Sequence, residues 1–253
     1  MEAFRIGTVH ISAATPESAQ ELIGRRAREG QGGYVCVSNV RMVKYAGRHP
    51  RYSALMDGAI MNLPDGMPLT WCGKLWGVKG VRRTCGPELF DRMLGSDEPG
   101  LWHFLLGDTP DILDRIVEKY NRDGKEVIAG TYSLPFAEVD DFDYDHIAGM
   151  VEKSGANVVW TAMRAPKQDE FNSRLFSLLP RVVSIGVGRA FRASVGEFRE
   201  VPALARKLGL SGFWLLRGSF LEELSFYVKA SFFLLKSMLE IVWWRICGKQ
   251  AGE

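Results

Sequence analysis

The feature that most narrows the choice of fold is a repeat of short apolar runs, each closed by a turn and followed by a helical stretch. Residues 34–37 form one run, and Ser38-Asn39 then opens a helix over 40–47. Ala59-Ile60-Met61 leads through Asn62-Leu63-Pro64-Asp65-Gly66-Met67-Pro68 into a helix over 69–76. The cleanest buried strand, 101–106, enters Gly107-Asp108-Thr109-Pro110 and a helix to about 122. A strand over 126–130 precedes a helix over 143–153, and a strand over 157–161 precedes the helix opened by Ala165-Pro166-Lys167-Gln168. A last strand, 182–187, ends in Gly186-Val187-Gly188. Strands alternating with helices imply crossover connections, and so a mostly parallel, doubly wound α/β sheet covered on both faces. Upstream, residues 4–11 alternate and predict one strand, and Thr15-Pro16-Glu17 caps a helix to about residue 29.

Composition excludes several classes. The 253 residues are 46% apolar and 25% charged, ordinary for a globular protein, and suffice for one large α/β domain or two small ones. A net charge of +2 argues against a nucleic-acid partner. Cys36, Cys72, Cys85 and Cys247 form no CxxC pair, so neither a zinc site nor a disulfide framework is indicated, and reduced cytosolic thiols are expected. Met1-Glu2-Ala3-Phe4-Arg5 lacks the layout of a signal peptide, and no run of about 18 apolar residues predicts a membrane span.

In an open α/β sheet, ligands bind at the carboxyl ends of the strands. Asp65 follows one strand directly, where Pro64 fixes its own φ and Gly66 can adopt a positive one. A carboxylate there can act as a general base, orient a hydroxyl or bind a metal; it can also simply close a turn. Ser38-Asn39 can face a ligand or cap the next helix. Arg82 and Arg83 sit in a loop before a helix opened by Gly86-Pro87, and a loop arginine pair can hold a diphosphate or merely be solvated. The Gly107-Asp108 turn presents a helix N-terminus to an anion, but without GxGxxG it implies no dinucleotide.

The last fifty residues differ in character. A helix over 202–208 is followed by an aromatic-rich tail in which Glu222, Lys229, Lys236 and Glu240 share one helical face. The remaining surface holds more leucines and aromatics than one helix usually buries. Such a tail lies on a membrane surface, or docks on the core or on a partner subunit. A membrane attraction would be more hydrophobic than electrostatic, because Lys229, Lys236, Arg245 and Lys249 are opposed by Glu222, Glu223, Glu240 and Glu253.

Taken in order, Ser38-Asn39, Leu63-Pro64-Asp65-Gly66, Thr84-Cys85-Gly86-Pro87-Glu88-Leu89-Phe90, Ala165-Pro166-Lys167-Gln168-Asp169, Ile185-Gly186-Val187-Gly188 and the segment from Lys207 to Arg217 make the chain resemble the WecG/TagA/CpsF glycosyltransferases over nearly its whole length. The resemblance implies a Rossmann-like catalytic domain, taken as residues 1–200, and a membrane-docking helical appendage, residues 201–253. It implies an inverting enzyme, independent of metal, that moves a sugar from a UDP-sugar to a polyprenyl-diphosphate-linked saccharide. The expected location is peripheral, at the cytoplasmic face of the bacterial inner membrane, in surface polysaccharide biosynthesis. The family's base falls on Asp65, and its supporting polar residues fall on Asn39, Arg83, Gln168 and Arg217.

The leaving diphosphate would then meet Arg83, Arg217 and the helix N-terminus after Gly107 and Asp108. Departures from the family pattern also matter. Thr161-Ala162-Met163-Arg164 replaces a glycine-rich segment, so Arg164 either adds a phosphate contact or narrows the pocket. Arg189-Ala190-Phe191-Arg192 loses an acid and gains two arginines. These changes keep open a UDP-sugar-binding scaffold without turnover. A nucleotide-dependent oxidoreductase is the remoter alternative. An apolar tail would also favour self-association when no membrane is present.

Overall fold

The computed structural model describes residues 1–96, 98–122, 124–197 and 220–248. Its centre is a six-stranded sheet made of β3 (Gly33–Ser38), β4 (Met61–Pro64), β5 (His103–Gly107), β6 (Ile128–Tyr132), β7 (Val158–Ala162) and β8 (Val183–Gly186). The strand order is β4-β3-β8-β7-β5-β6, and every pairing is parallel. Strands β3, β4, β5 and β8 are buried along their whole length, as a sheet covered on both faces requires.

The expected helices are α1 (Pro16–Glu29), α2 (Val40–Ala46), α4 (Met67–Trp76), α5 (Gly86–Leu94), α6 (Pro110–Tyr120), α7 (Tyr144–Ser154) and α8 (Lys167–Leu178). Two more were not anticipated: α3 (Pro50–Gly58) and the five-residue α9 (Ala190–Ser194). One face of the sheet packs on α1, α5, α6 and α9 through residues such as Ile23, Phe90, Ile116 and Phe191. The other packs on α7 and α8 through Val151, Phe171 and Leu175.

The first strand is a correction. Residues 4–11 form not one strand but an antiparallel hairpin, β1 (Ala3–Ile6) and β2 (Val9–Ser12). Gly7 has φ +60° and heads a two-residue turn, a conformation that favours glycine. Phe4, Ile6, Val9 and Ile11 are fully buried and form a separate core with α2, α3 and α4.

The C-terminal helix, α10 (Phe220–Ile246), resolves the tail from residue 228 onward into two apolar faces on opposite sides. Ala230, Ser237 and Ile241 are buried, and Phe233, Leu234, Met238 and Trp244 pack with them on the hairpin core. Trp244 stacks on Trp76, with ring centres 5.8 Å apart, and Arg245 Nη1 donates to the Leu75 carbonyl at 2.6 Å. Val228, Phe232, Leu235, Leu239, Val242, Trp243 and Ile246 form the outer, exposed face. Lys229, Lys236 and Glu240 lie between the faces, by the 3.6-residue turn. Core docking is therefore present, and a second stripe remains exposed. Among the described residues, no helix is long and apolar enough to cross a membrane. The 200/201 boundary and the expected helix over 202–208 fall outside the described residues.

Because Ile241 is 1% exposed, Ile241→Ala is expected to lower stability by about 2–4 kcal/mol. Urea unfolding checks this; a change below about 0.5 kcal/mol would mean that α10 is not part of the packed core.

Candidate active site

The strand order reverses between β3 and β8. From β3 the chain steps outward to β4, and everything after β4 builds on the other side. Loops leaving the carboxyl ends of β3, β4 and β8 therefore converge at the switch point, where such sheets bind ligands.

Asp65 stands there, one residue beyond β4. Its N–H donates to the Ser38 carbonyl at 2.8 Å, continuing the β3–β4 ladder past the last strand residue. Thr84 N–H donates to the Pro64 carbonyl at 2.9 Å, which brings the loop before α5 alongside. Arg83 Nη2 then reaches Asp65 Oδ1 at 3.3 Å, with the two side chains 27% and 28% exposed. Withdrawal from water raises the Asp65 carboxyl to about 6, while Arg83 and then Arg189 oppose the rise. Cys85, beside it, is pushed up to about 11 by burial and secondarily by the Asp65 charge. Gly66, the N-cap before α4, is extended at φ −161°, so the turn does not use the positive φ that the sequence allowed. Pro64, the cross-strand tie and Pro68 in the first turn of α4 shape it instead.

Asn39 follows Ser38 and is the N-cap of α2. Its Oδ1 accepts from Arg41 N–H at 2.9 Å and from Met42 N–H at 3.3 Å. Of the two roles open to it, capping is thus realised, at a position adjacent to Asp65 across the strand ends.

Gln168 lies in the first turn of α8, 4% exposed. Its Oε1 accepts from Gly188 N–H at 3.0 Å, so that oxygen is committed to the loop after β8. Arg164 is exposed in the loop before α8.

Gly107 and Asp108 are not in this group, because β8 and β7 stand between β3 and β5. Gly107 has φ +107°, and a Cβ there would meet the Ala162 carbonyl at 3.1 Å. Asp108 takes φ +58° and accepts Thr109 N–H at 2.9 Å, placing its own carboxylate at the start of α6. Arg192 clasps it through Nη2 at 2.8 Å and Nε at 3.1 Å, and also reaches Glu197 at 3.3 Å. The helix start read as open to an anion is thus already faced by a carboxylate paired with arginine. Of the two added arginines, Arg192 is spent on this pair, while Arg189 contributes to the field at Asp65. Arg217 lies outside the described residues.

Sequence reasoning flagged Arg189 only as one of two added arginines and did not set it beside Asp65. Its signal was its place one residue beyond the glycine turn that closes β8. Tyr52 and Asp169 were also missed, and 117 residues separate these hydrogen-bonded partners.

With this geometry in hand, comparison with known proteins is informative. A family model described as the WecG/TagA/CpsF glycosyl transferase family matches residues 4–245. The N-acetylglucosaminyldiphosphoundecaprenol N-acetyl-beta-D-mannosaminyltransferase of Bacillus spizizenii is 25% identical over 190 residues, covering 75% of this chain and 72% of that protein. The protein of the same name from Bacillus subtilis is 23% identical over 186 residues, covering 73% and 71%.

The Asp65 environment has a consequence for stability. The folded carboxyl titrates near 6, above its ordinary value of 3.8, so the folded chain binds that proton more tightly than the unfolded one. Folding is therefore favoured as pH falls from about 6 toward 4, and ionised Asp65 is a burden above 6. Asp65→Asn is expected to be more stable than wild type at pH 8, with the gap closing as pH drops through 6. Thermal melts across pH check this; a variant less stable at pH 8 contradicts it.

Proposed function

This chain belongs to the WecG/TagA/CpsF glycosyltransferase family, and on that premise we propose that it moves a sugar, with inversion, from a UDP-sugar to a polyprenyl-diphosphate-linked saccharide. The observation that carries this reading is Asp65, a carboxylate at the sheet's switch point, partly desolvated and flanked by Arg83 and Arg189.

In this reading the acceptor hydroxyl attacks the anomeric carbon while Asp65 takes its proton. The new C–O bond forms as the bond to UDP breaks on the opposite face, which inverts the centre. A base titrating near 6 is ionised at neutral pH yet stronger than an ordinary carboxylate, as general-base catalysis favours. UDP leaves with its electron pair, and Arg83 and Arg189 meet the developing negative charge without a metal. Arg217 and Arg164 are further diphosphate contacts in this proposal. Asn39 and Gln168 shape the pocket wall, Asn39 as a cap and Gln168 through the loop after β8. Gly107 and Asp108, two strands away and with the Asp108 carboxylate paired to Arg192, are left out of this scheme.

The acceptor class follows from the relatives, whose name specifies a diphosphoundecaprenol-linked N-acetylglucosamine. A lipid-anchored acceptor also gives the outer stripe of α10 a use. Seven exposed apolar side chains on one helical face suit burial at the headgroup boundary. We read residues 201–253 as the docking appendage to a catalytic domain of residues 1–200, peripheral at the cytoplasmic face of the inner membrane. Without a membrane, the same stripe would pair copies of the chain.

Two outcomes are expected. Mixed with a panel of UDP-sugars and a short-chain polyprenyl-diphosphate N-acetylglucosamine, the protein releases UDP with one donor, equally with and without chelator. Asp65→Asn lowers that rate by about 10²–10⁴-fold while calorimetry still detects UDP binding. Wild-type turnover in the variant excludes Asp65 as base, and UDP binding without any turnover points to a scaffold. Separately, Phe232→Ser, Leu239→Ser and Trp243→Ser together are expected to release the protein from phosphatidylethanolamine–phosphatidylglycerol vesicles without changing its melting temperature. Unchanged sedimentation with vesicles would remove α10 as the anchor.

A further inference from the structure

Beneath the site, between α8 and the strands β3 and β8, lies a set of buried polar side chains that the chemistry above does not use. Asp169 is 2% exposed. Tyr52, on α3, donates to Asp169 Oδ2 at 2.5 Å. Asp169 Oδ1 has no well-formed partner among the described residues, and the Cys36 thiol and the Gln168 side chain are further donors close to the carboxyl group. Burial alone would make this a poor place for a carboxylate: it raises Asp169 to about 7, and these three donors hold it from going higher. The same burial, with Asp169 close by, pushes Tyr52 and Cys36 upward. An acid is therefore kept, at some expense in stability, one residue from Gln168.

Gln168 connects this layer to the site. Its side chain packs so closely on Gly186 that a Cβ at 186 would meet it at 2.8 Å. Its Oε1 takes the Gly188 N–H at 3.0 Å, and Arg189 is the next residue. The same loop abuts the start of α5, where a Cβ on Gly86 would meet the Val187 carbonyl at 2.8 Å. The loop is thus gripped from below by Gln168 and from the side by the segment that carries Arg83.

We propose that Tyr52, Asp169 and Gln168 form a buried positioning unit that sets the Gly186–Arg189 loop and so holds the Arg189 guanidinium toward Asp65. The Asp169 carboxylate attracts the amide end of Gln168, which turns Oε1 toward Gly188. Tyr52 keeps that carboxylate in place. None of the three touches the reacting atoms in this scheme. The catalytic consequence rests on Asp65 being the base, whereas the geometric claim does not.

The test reads Asp65 directly. Among the described residues, the ionisable groups facing it are Arg83 and Cys85, from the loop before α5, and Arg189, from the loop after β8. Removing a neighbouring cation disfavours the carboxylate, so displacement of Arg189 must raise the Asp65 midpoint. In aspartate-labelled protein followed by carbon NMR, Tyr52→Phe and Asp169→Asn are each expected to raise it by about half a pH unit or more. Exchange of the Gly188 amide hydrogen should quicken by about tenfold in both. Turnover with the donor found in the screen should fall by about tenfold. Tyr52→Phe keeps the ring, so a folded variant is at hand even if Asp169→Asn unfolds. An unmoved midpoint and unchanged exchange in the folded variants would overturn the proposal. Wild-type turnover in Asp65→Asn would instead sink the base reading, and would leave the midpoint and exchange to judge the positioning unit.

Discussion

Everything at the switch point depends on the parallel register of β3 against β4. That register pairs Ser38 with Pro64, and the next rung, from Asp65 N–H to the Ser38 carbonyl, fixes the carboxylate-bearing residue by its backbone. A side chain on an ordinary loop would have to lose conformational freedom to be placed so well. Here the sheet has already restricted it, and the adjoining Thr84–Pro64 bond seats Arg83 by the same means. The first two partners of the site are thus positioned by backbone hydrogen bonds, which a change of side chain nearby does not remove.

The second constraint is electrostatic. A carboxylate partly withdrawn from water is held between neutrality and charge, and the balance is struck by cations arriving on two different loops. The loop of Arg83 is tied to β4 itself. The loop of Arg189 starts at β8 and depends on α8 packing beneath it. The molecule therefore brings these two positive groups in on different loops that touch at Gly86 and Val187, and the buried layer of Tyr52, Asp169 and Gln168 serves one of them.

Much of this was legible in the sequence because it is local. Apolar runs closed by turns marked six strands, and Pro64-Asp65-Gly66 marked the edge where a functional carboxylate belongs. What escaped was either structurally faint or distant in the chain. The hairpin was hidden because Gly7-Thr8 interrupts an alternating pattern without a strong turn dipeptide. The helix α3 begins at His49-Pro50 with no side-chain cap, so no start signal announced it. Asn39 could be read as a cap or a ligand, and the geometry adds that its Oδ1 caps α2. The pairing of Arg192 with Asp108 spans 84 residues, beyond any local pattern, and it changes the meaning of both. The tail showed an excess of apolar residues, but periodicity alone could not reveal that they split into two opposed faces, one docked and one bare.

That docking has a mechanical side. The ten-residue helix α4 starts at the residue after Gly66, directly beyond Asp65, and its last residue, Trp76, stacks on Trp244 of α10. Asp65 and the clamp on the tail thus stand at the two ends of one stiff rod, about 15 Å long at 1.5 Å per residue. A rod of fixed length works as a ruler. Wherever the bare stripe of α10 comes to rest, the length of α4 sets how far the Asp65 carboxylate stands from the Trp76–Trp244 clamp behind it.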